Sequence, residues 1–306
     1  MSVSAARPVA GRRPRRPVDA GRVLARVALA IMIVVTLFPF YWMLRTAFSD
    51  NRYLAADAGN LLPTHFTLGG FERVFGLATR EDAIAQGGSG ASIDFWGYLR
   101  NTLIVAVLVT AGQVFFSAMA AYAFARMRFR GRDALFAVFL SALMVPTIFT
   151  AIPNFVLIRE LGLLNTYAGI ALPTFFMTPF AIFFLRQFFM NVPRELEEAA
   201  LLDGAGRIRS FFRLILPISA APITTLAVLT FIQSWNDYFW PLLVGQDDSV
   251  RVLTVALATF RSQTPQGSPD WAGLMGATLL AAVPILIVFL ALGKRIVNSI
   301  GHSGIK

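Results

Sequence analysis

Of 306 residues, 56% are hydrophobic and only 14% are charged, whereas an ordinary soluble domain is about a quarter charged; this balance belongs to a lipid-embedded chain. With no cysteine and two histidines, His65 and His302, the sequence lacks the raw material for a disulfide framework, a thiolate zinc site or a histidine-based catalytic triad. The formal charge of +10 suits either nucleic acid or the cytoplasmic ends of membrane helices, and the positions of the cations must decide between them.

The predicted elements begin with a basic leader, residues 1–21, rich in Arg, Pro, Gly and Ala and expected to be disordered. A bilayer core of about 30 Å takes roughly 20 helical residues. Six apolar runs of that order follow, at about 27–44, 101–125, 134–158, 166–185, 217–243 and 271–293. Arg100 and Arg126 fence the second run, and Asp133 and Arg159 the third. Such runs lack the alternation of a barrel wall, and lipid offers no partner to open backbone groups. The expected fold class is therefore an all-α integral membrane protein with six transmembrane helices. The first run has a cleavable signal peptide as its lesser reading, since its apolar stretch is longer than the usual core of about 7–15 residues. It ends in Phe38-Pro39-Phe40-Tyr41-Trp42, an aromatic interface belt instead of a small-residue cleavage site. After it, residues 45–100 form the largest soluble connection, in which Gly87-Gly88-Ser89-Gly90 reads as a mobile loop.

The basic residues alternate in number across these runs. Seven lie in the leader and up to Arg26, four between Arg126 and Arg132, five between Arg186 and Arg213 and three in the tail, against eight on the other side. By the positive-inside rule both termini are expected in the cytoplasm. The basic patches then read as topology signals beside anionic lipid, and no nucleic-acid role is expected.

The connection 191–217, from Asn191 to Pro217, carries explicit helix start and stop signals. Pro193 suits a first turn, Glu195, Glu197 and Glu198 favour the positive end of the helix dipole, and Gly204 can take the left-handed conformation after the end. A helix from Pro193 to Asp203 is predicted, with Leu196, Ala199 and Ala200 on one face. Arg207, Arg209 and Arg213 then alternate with Ile208, Phe211, Phe212, Leu214 and Ile215, the composition of a helix lying at a lipid surface. Pro217 marks the bend into the fifth run. Composition alone also allows a simple re-entry device that positions this run.

The spacing is more specific: Glu198-Ala199-Ala200, three residues, Gly204, nine residues, Leu214, one residue, Leu216-Pro217. It resembles the EAA loop of permease subunits of binding-protein-dependent ABC importers, with Leu214 where that family usually has isoleucine. Other segments resemble the carbohydrate importers of the maltose-transporter type: Phe38 to Met43, Ala120 to Arg126, Phe129 to Arg132, Leu161 to Thr166, and especially Trp235-Asn236-Asp237-Tyr238-Phe239-Trp240-Pro241-Leu242. The resemblance runs from about Val27 to Lys306 and omits the leader and the glycine tract near Gly88.

That resemblance implies a bacterial inner-membrane subunit that pairs with a second permease subunit. It also implies two cytoplasmic ATPase subunits below and sugar delivered by an extracytoplasmic binding protein. The chain has no Gly-x-x-x-x-Gly-Lys-Ser/Thr loop, so ATP and magnesium belong to the ATPase, and no cofactor, metal or catalytic residue is expected here. Carried over, Glu198 is the carboxylate that meets an ATPase arginine, and Ala199 and Ala200 let the helix approach closely. Asp203 and Gly204 make the turn that fixes its angle, and Leu216 and Pro217 close the motif. The tail from Gly301 to Lys306, with His302, is shaped like the family's segment that reaches toward the ATPase pair.

For the translocation path the candidates are Gln113, Asn154, Gln233, Trp235, Asn236 and Asp237, polar or amphipathic groups in or beside apolar runs. Each could meet sugar hydroxyls, but helix packing is the commoner use of Gln113, Asn154 and Gln233, and a structural hydrogen bond is favoured for Asp237. Pro146, Pro153, Pro173, Pro222 and Pro284 interrupt the backbone ladder, as static kinks or as rocking points. The connection 245–270 holds an apolar run from Val252 to Phe260 and then a polar stretch, either a plain loop or one that reaches into the binding protein. The expected function is sugar import by alternating access. The alternatives are an ABC permease for glycerol phosphate, a polyol or an amino acid, or an ion-coupled secondary transporter, against which stands the lack of an ionisable residue at mid-membrane.

Overall fold

The computed structural model describes residues 20–263 and 269–301, with backbone alone from 294 onward. Most of the leader, His302 and the rest of the tail, and the centre of the polar stretch after Arg261 lie outside the described residues. Described order is helical throughout, apart from one isolated bridge between Ser49 and Phe66.

Helix α1 runs over Ala20–Ala47, α2 over Gly69–Val74, α3 over Arg80–Ala85 and α4 over Phe95–Arg126. Then come α5 (Arg132–Ser141), a 3-10 turn (Ala142–Met144), α6 (Thr147–Glu160), α7 (Tyr167–Phe175) and α8 (Pro179–Met190). Helices α9 (Arg194–Leu202) and α10 (Arg207–Ser210) lead through a π turn (Phe211–Ile215) to α11 (Leu216–Ile218). The described residues end with α12 (Ala220–Trp235), α13 (Phe239–Val244), α14 (Leu253–Ser262) and α15 (Trp271–Gly301).

Three helices, Gly21–Ala47, Phe95–Arg126 and Trp271–Gly293, are long and apolar enough to cross a membrane unbroken. Three further stretches are bent pairs: α5 with its 3-10 turn meets α6 at 101°, α7 meets α8 at 46°, and the segment Arg207–Ile218, almost wholly upstream of the expected run 217–243, meets α12 at 79°. Each bend has a local cause. Pro146, extended at φ −62° and ψ 134°, cannot continue a helix from Met144. Thr178 is extended at φ −126°, accepts from Ala181 N and has Pro179 behind it, so a new helix starts there. The third bend falls at Ser219, two residues past the expected Pro217, which itself sits inside α11.

Among the described residues, those from 20 to 43 form a unit of their own, on which Leu29, Met32 and Val35 are exposed. From Leu44 on, the body is built around α4, which packs on α7, α8 and α12. One core cluster joins Tyr122 and Phe124 of α4 to Ile182, Leu185 and Phe189 of α8 and to Phe211, Ile215 and Leu226. Gly112 permits the contact with α7: a Cβ there would lie 2.4 Å from the Phe175 ring.

Hydrogen bonds gather the connections of this body into two groups. In the capped group, Asn165 accepts from the amides of Gln246 (2.9 Å) and Asp247 (3.1 Å), Tyr167 donates to Asn101 (2.6 Å), and Tyr98 to Asp248 (3.0 Å). Residues 45–94 close over the same end. Buried Arg45 donates to Leu62 O, Asp57 O and Thr64 Oγ1. Arg73 of α2 forms a two-pronged pair with Asp270 (2.5 and 2.8 Å), their side chains only 4% and 1% exposed. Asp270 also accepts from Gly273 N and so caps α15. The glycine tract here corrects the sequence expectation of a mobile loop: Gly88 and Ser89 are buried, and a Cβ on Gly88 would meet Ala83 O at 2.8 Å and Arg73 Nε at 2.9 Å. The connection after Gly245 is also packed, because α14 buries Leu253, Val255, Ala256 and Phe260. In the open group, α9 and the connection from Arg126 to Arg132 come together.

Candidate functional site

Helix α9 is cleanly bounded. Pro193, in extended geometry (φ −56°, ψ 135°), stands just before it as the N-cap instead of within the first turn, and Asp203 is the C-cap. Gly204 then takes φ +79°. Ala205 N donates to Ala200 O (2.8 Å) and Gly204 N to Leu201 O (3.0 Å), the paired bonds by which a left-handed glycine terminates a helix. Nothing lies within 4 Å of a Cβ placed on Gly204, so glycine is needed for its conformation and not for space.

No residue of α9 is buried. Leu202 is 90% exposed, Leu196 and Leu201 are exposed as well, Glu198 and Ala199 face solvent, and Ala200 is half-buried. An amphipathic helix normally hides its apolar stripe; this one leaves Leu201 and Leu202 uncovered by its own chain.

What holds α9 in place is a charge that sequence reading assigned only to topology. The Arg126 guanidinium, 3% exposed at the end of α4, donates from Nη2 to the carbonyls of Phe189 and Val192 at the end of α8. Its Nε lies 3.2 Å from Glu197 Oε1 of α9, an ion pair that is not aligned as a hydrogen bond. The inward carboxylate is thus Glu197, and its neighbour Glu198 stays free to meet something else. No local signal separates these two glutamates, because the choice is made by an arginine far away in the chain.

Downstream, the segment expected at the lipid surface divides in two. Ile208 and Phe212 are exposed, whereas Phe211 and Ile215 enter the core beside Tyr122 and Phe189. Through the π turn and α11, which contains Leu216 and Pro217, this plug is continuous with α12. An apolar cavity of about 270 Å³ lies beside it, walled in part by Thr110, Phe115, Phe211, Leu216 and Ile223.

The path candidates are dispersed. Gln113 is buried and donates to Thr178 Oγ1 (3.0 Å), tying α4 to the start of α8. Trp235 is buried and donates to Ala281 O of α15 (3.2 Å). Asn236 bonds back to Ile232 O (2.8 Å) at the end of α12. The Asp237 carboxylate faces the backbone amides of Tyr238, Phe239 and Trp240, and its carbonyl accepts from Thr254 (2.6 Å). Asn154 is half-buried and Gln233 exposed, and no hydrogen bond joins either to the other candidates. Gln113, Trp235 and Asn236 thus use their polar atoms within the fold. Thr178 and Thr254, the partners that complete this set, were missed because neither stands out in its run.

Comparison with known proteins adds three findings. Residues 113–302 match the family of binding-protein-dependent transport system inner membrane components. The chain is 32% identical over 286 residues to the trehalose/maltose transport system permease protein MalG of Thermococcus litoralis, covering 93% of this chain and 97% of that protein. It is also 32% identical over 283 residues to the sn-glycerol-3-phosphate transport system permease protein UgpE of Salmonella typhi, covering 92% and 96%. Its fold is similar to that of a chain in the crystal structure of a bacterial ABC transporter involved in the import of the acidic polysaccharide alginate, with a TM-score of 0.75 at 21% identity, covering 93% of this chain and 99% of that one.

Proposed function

This chain belongs to the family of binding-protein-dependent transport system inner membrane components, and from that membership we propose that it is the permease subunit of an ATP-driven sugar importer. It spans a bacterial inner membrane with both termini in the cytoplasm and pairs with a second permease subunit. Two ATPase subunits sit below it, and an extracytoplasmic binding protein delivers a mono- or oligosaccharide. The trehalose/maltose relative, matched over nearly its whole length, supports the sugar. The glycerol-phosphate relative, equally similar, supports a second reading in which the solute is a polyol phosphate.

The observation that carries the coupling role is α9, a well-capped helix with no buried residue. Its uncovered Leu201 and Leu202, with Glu198 and Ala199 exposed beside them, offer an ATPase an apolar contact and a free carboxylate. Closure of the ATPases would displace α9. Arg126 would pass that displacement to the ends of α4 and α8, and the plug of Phe211 and Ile215 would pass it to α12. The cavity beside Leu216 leaves α12 room to shift. Import then follows from alternating access, with no covalent chemistry on this chain.

The test is to purify the chain gently from its native membrane and identify what accompanies it, for the wild type and for Gly204→Leu. An ATPase and a second multi-span chain should accompany the wild type, and the ATPase should be lost from the variant although membrane insertion persists. A wild-type chain recovered alone, with ATP-independent solute uptake in liposomes, would overturn the reading.

A further inference from the structure

At the start of α9, one turn before the Glu198 that the same helix face offers to an ATPase, lies a cleft of about 500 Å³ lined by Arg128, Phe129, Gly131, Arg132, Asp133, Ala134 and Arg194. Three arginines from three places in the chain therefore border one hollow: the connection after α4, the first turn of α5 and the first turn of α9. A single carboxylate, Asp133, stands against them, and it is already paired with Arg132 at 2.9 Å. Arg128 and Arg194 are exposed and have no ion-pair partner among the described residues. Arg132 and Arg194 both occupy the first turns of their helices, where the backbone dipole favours anions and disfavours cations. An anion seated between them removes that conflict.

We propose that this cleft binds a phosphate group, presented by the headgroup of an anionic membrane lipid. Depth favours a lipid over a free ion. The cleft directly follows α4, a helix long and apolar enough to span the bilayer, and the charged run from Arg126 to Arg132 marks where the chain leaves the apolar layer. Phe129 is exposed at the rim. Along α5, Leu135 and Val138, the latter 64% exposed, form an apolar strip one turn apart that leads away from Ala134. A phosphodiester in the cleft would have its acyl chains against that strip. Guanidinium forks suit phosphate oxygens, and basic pockets between membrane helices are known seats for such headgroups. The bound lipid would link the connection after α4 to the first residue of α9, so it would brace the same helix as Arg126 does. The site does not depend on which solute the chain carries.

The test is native mass spectrometry of the full chain with its co-purified partners, released from nanodiscs containing phosphatidylglycerol and phosphatidylcholine in equal parts. The wild type should retain phosphatidylglycerol in preference. Retention should fall roughly fivefold for Arg128→Gln or Arg194→Gln alone and roughly thirtyfold for both, at about one kcal/mol per cation near a membrane surface. Arg130→Gln, an equally basic neighbour outside the cleft, should retain the lipid as the wild type does. Co-recovery of the partners checks assembly, and the single variants carry the test should the double variant fail to assemble. Three outcomes would overturn the site: equal retention of both lipids, no loss in the cleft variants, or an equal loss in Arg130→Gln. Displacement of phosphatidylglycerol by millimolar inorganic phosphate would overturn the lipid source.

Discussion

The end of the body that holds residues 45–94 and the end that holds α9 solve the same problem, a polar connection against apolar helices, in opposite ways. At the capped end the chain supplies its own partners: Arg73 and Asp270 grip each other at 4% and 1% exposure, and Asn51 accepts from the amides of Trp271 and Ala272. At the open end α9 buries no residue, and Arg126 Nε, Glu197 Oε1 and Ser210 Oγ are buried atoms without a hydrogen bond. Buried polar atoms are ordinarily satisfied. The contrast teaches that the capped end ties its connections to one another, whereas the open end leaves the apolar side chains of α9 uncovered by its own chain.

The strongest way to break this comparison is at the capped end. Asp270→Ala should cost about 3–5 kcal/mol, because it strands the Arg73 cation in the interior. Thermal unfolding in detergent should show the loss, and a change under about 1 kcal/mol would mean that the cap is dispensable. Gly204→Ala should have a smaller effect, about 1–2 kcal/mol of left-handed strain confined to the end of α9. It should leave the melting of the body nearly unchanged while reducing recovery of an ATPase, and a large drop in melting temperature would deny that the open end is separate. Glu197→Gln should cost about 1 kcal/mol or less, since Arg126 keeps the carbonyls of Phe189 and Val192. Hydrogen exchange should quicken over residues 194–202 and stay constant over α4 and α8; uniform protection would remove the clamp from the account. The smallest effect concerns Asp50. The Arg52 side chain donates to its carboxylate and holds its pKa below the usual carboxylate value. A depressed pKa contributes stability that is present above the unfolded value of about 3.9 and lost as pH falls below it. Local exchange near Asp50 should therefore rise below about pH 4, and Asp50→Asn should abolish that dependence.

Much of this was legible in the sequence, and the remainder was hidden for a common reason. Arg126 ends α4 where expected, although Arg100 lies inside that helix and the run between Asp133 and Arg159 is broken in two, and the signals around Pro193 and Gly204 bound α9 to within a residue. These are local signals, carried by neighbours along the chain. The glycine tract misled because Gly87-Gly88-Ser89-Gly90 has the composition of a linker, while its packing comes from Arg52 and Arg73 side chains brought from elsewhere. Glu197 and Glu198 were inseparable for the same reason, as only Arg126 tells them apart. Proline marked the break at Pro146, but a missing N–H sets no angle, and the 101° bend depends on what α5 and α6 pack against.

The π turn at Phe211–Ile215 has a mechanical meaning beyond joining α10 to α11. A π turn carries one residue more than the α-helix needs over the same stretch, so it stores about 100° of rotation and about 1.5 Å of rise. Were it to tighten into α-helical winding, the surplus residue would travel to the next flexible point toward α9, which is the turn at Gly204 to Gly206. The helix before that turn would swivel, with no need for α12 to bend. The segment between α9 and α12 thus holds a length of chain that can be exchanged for rotation.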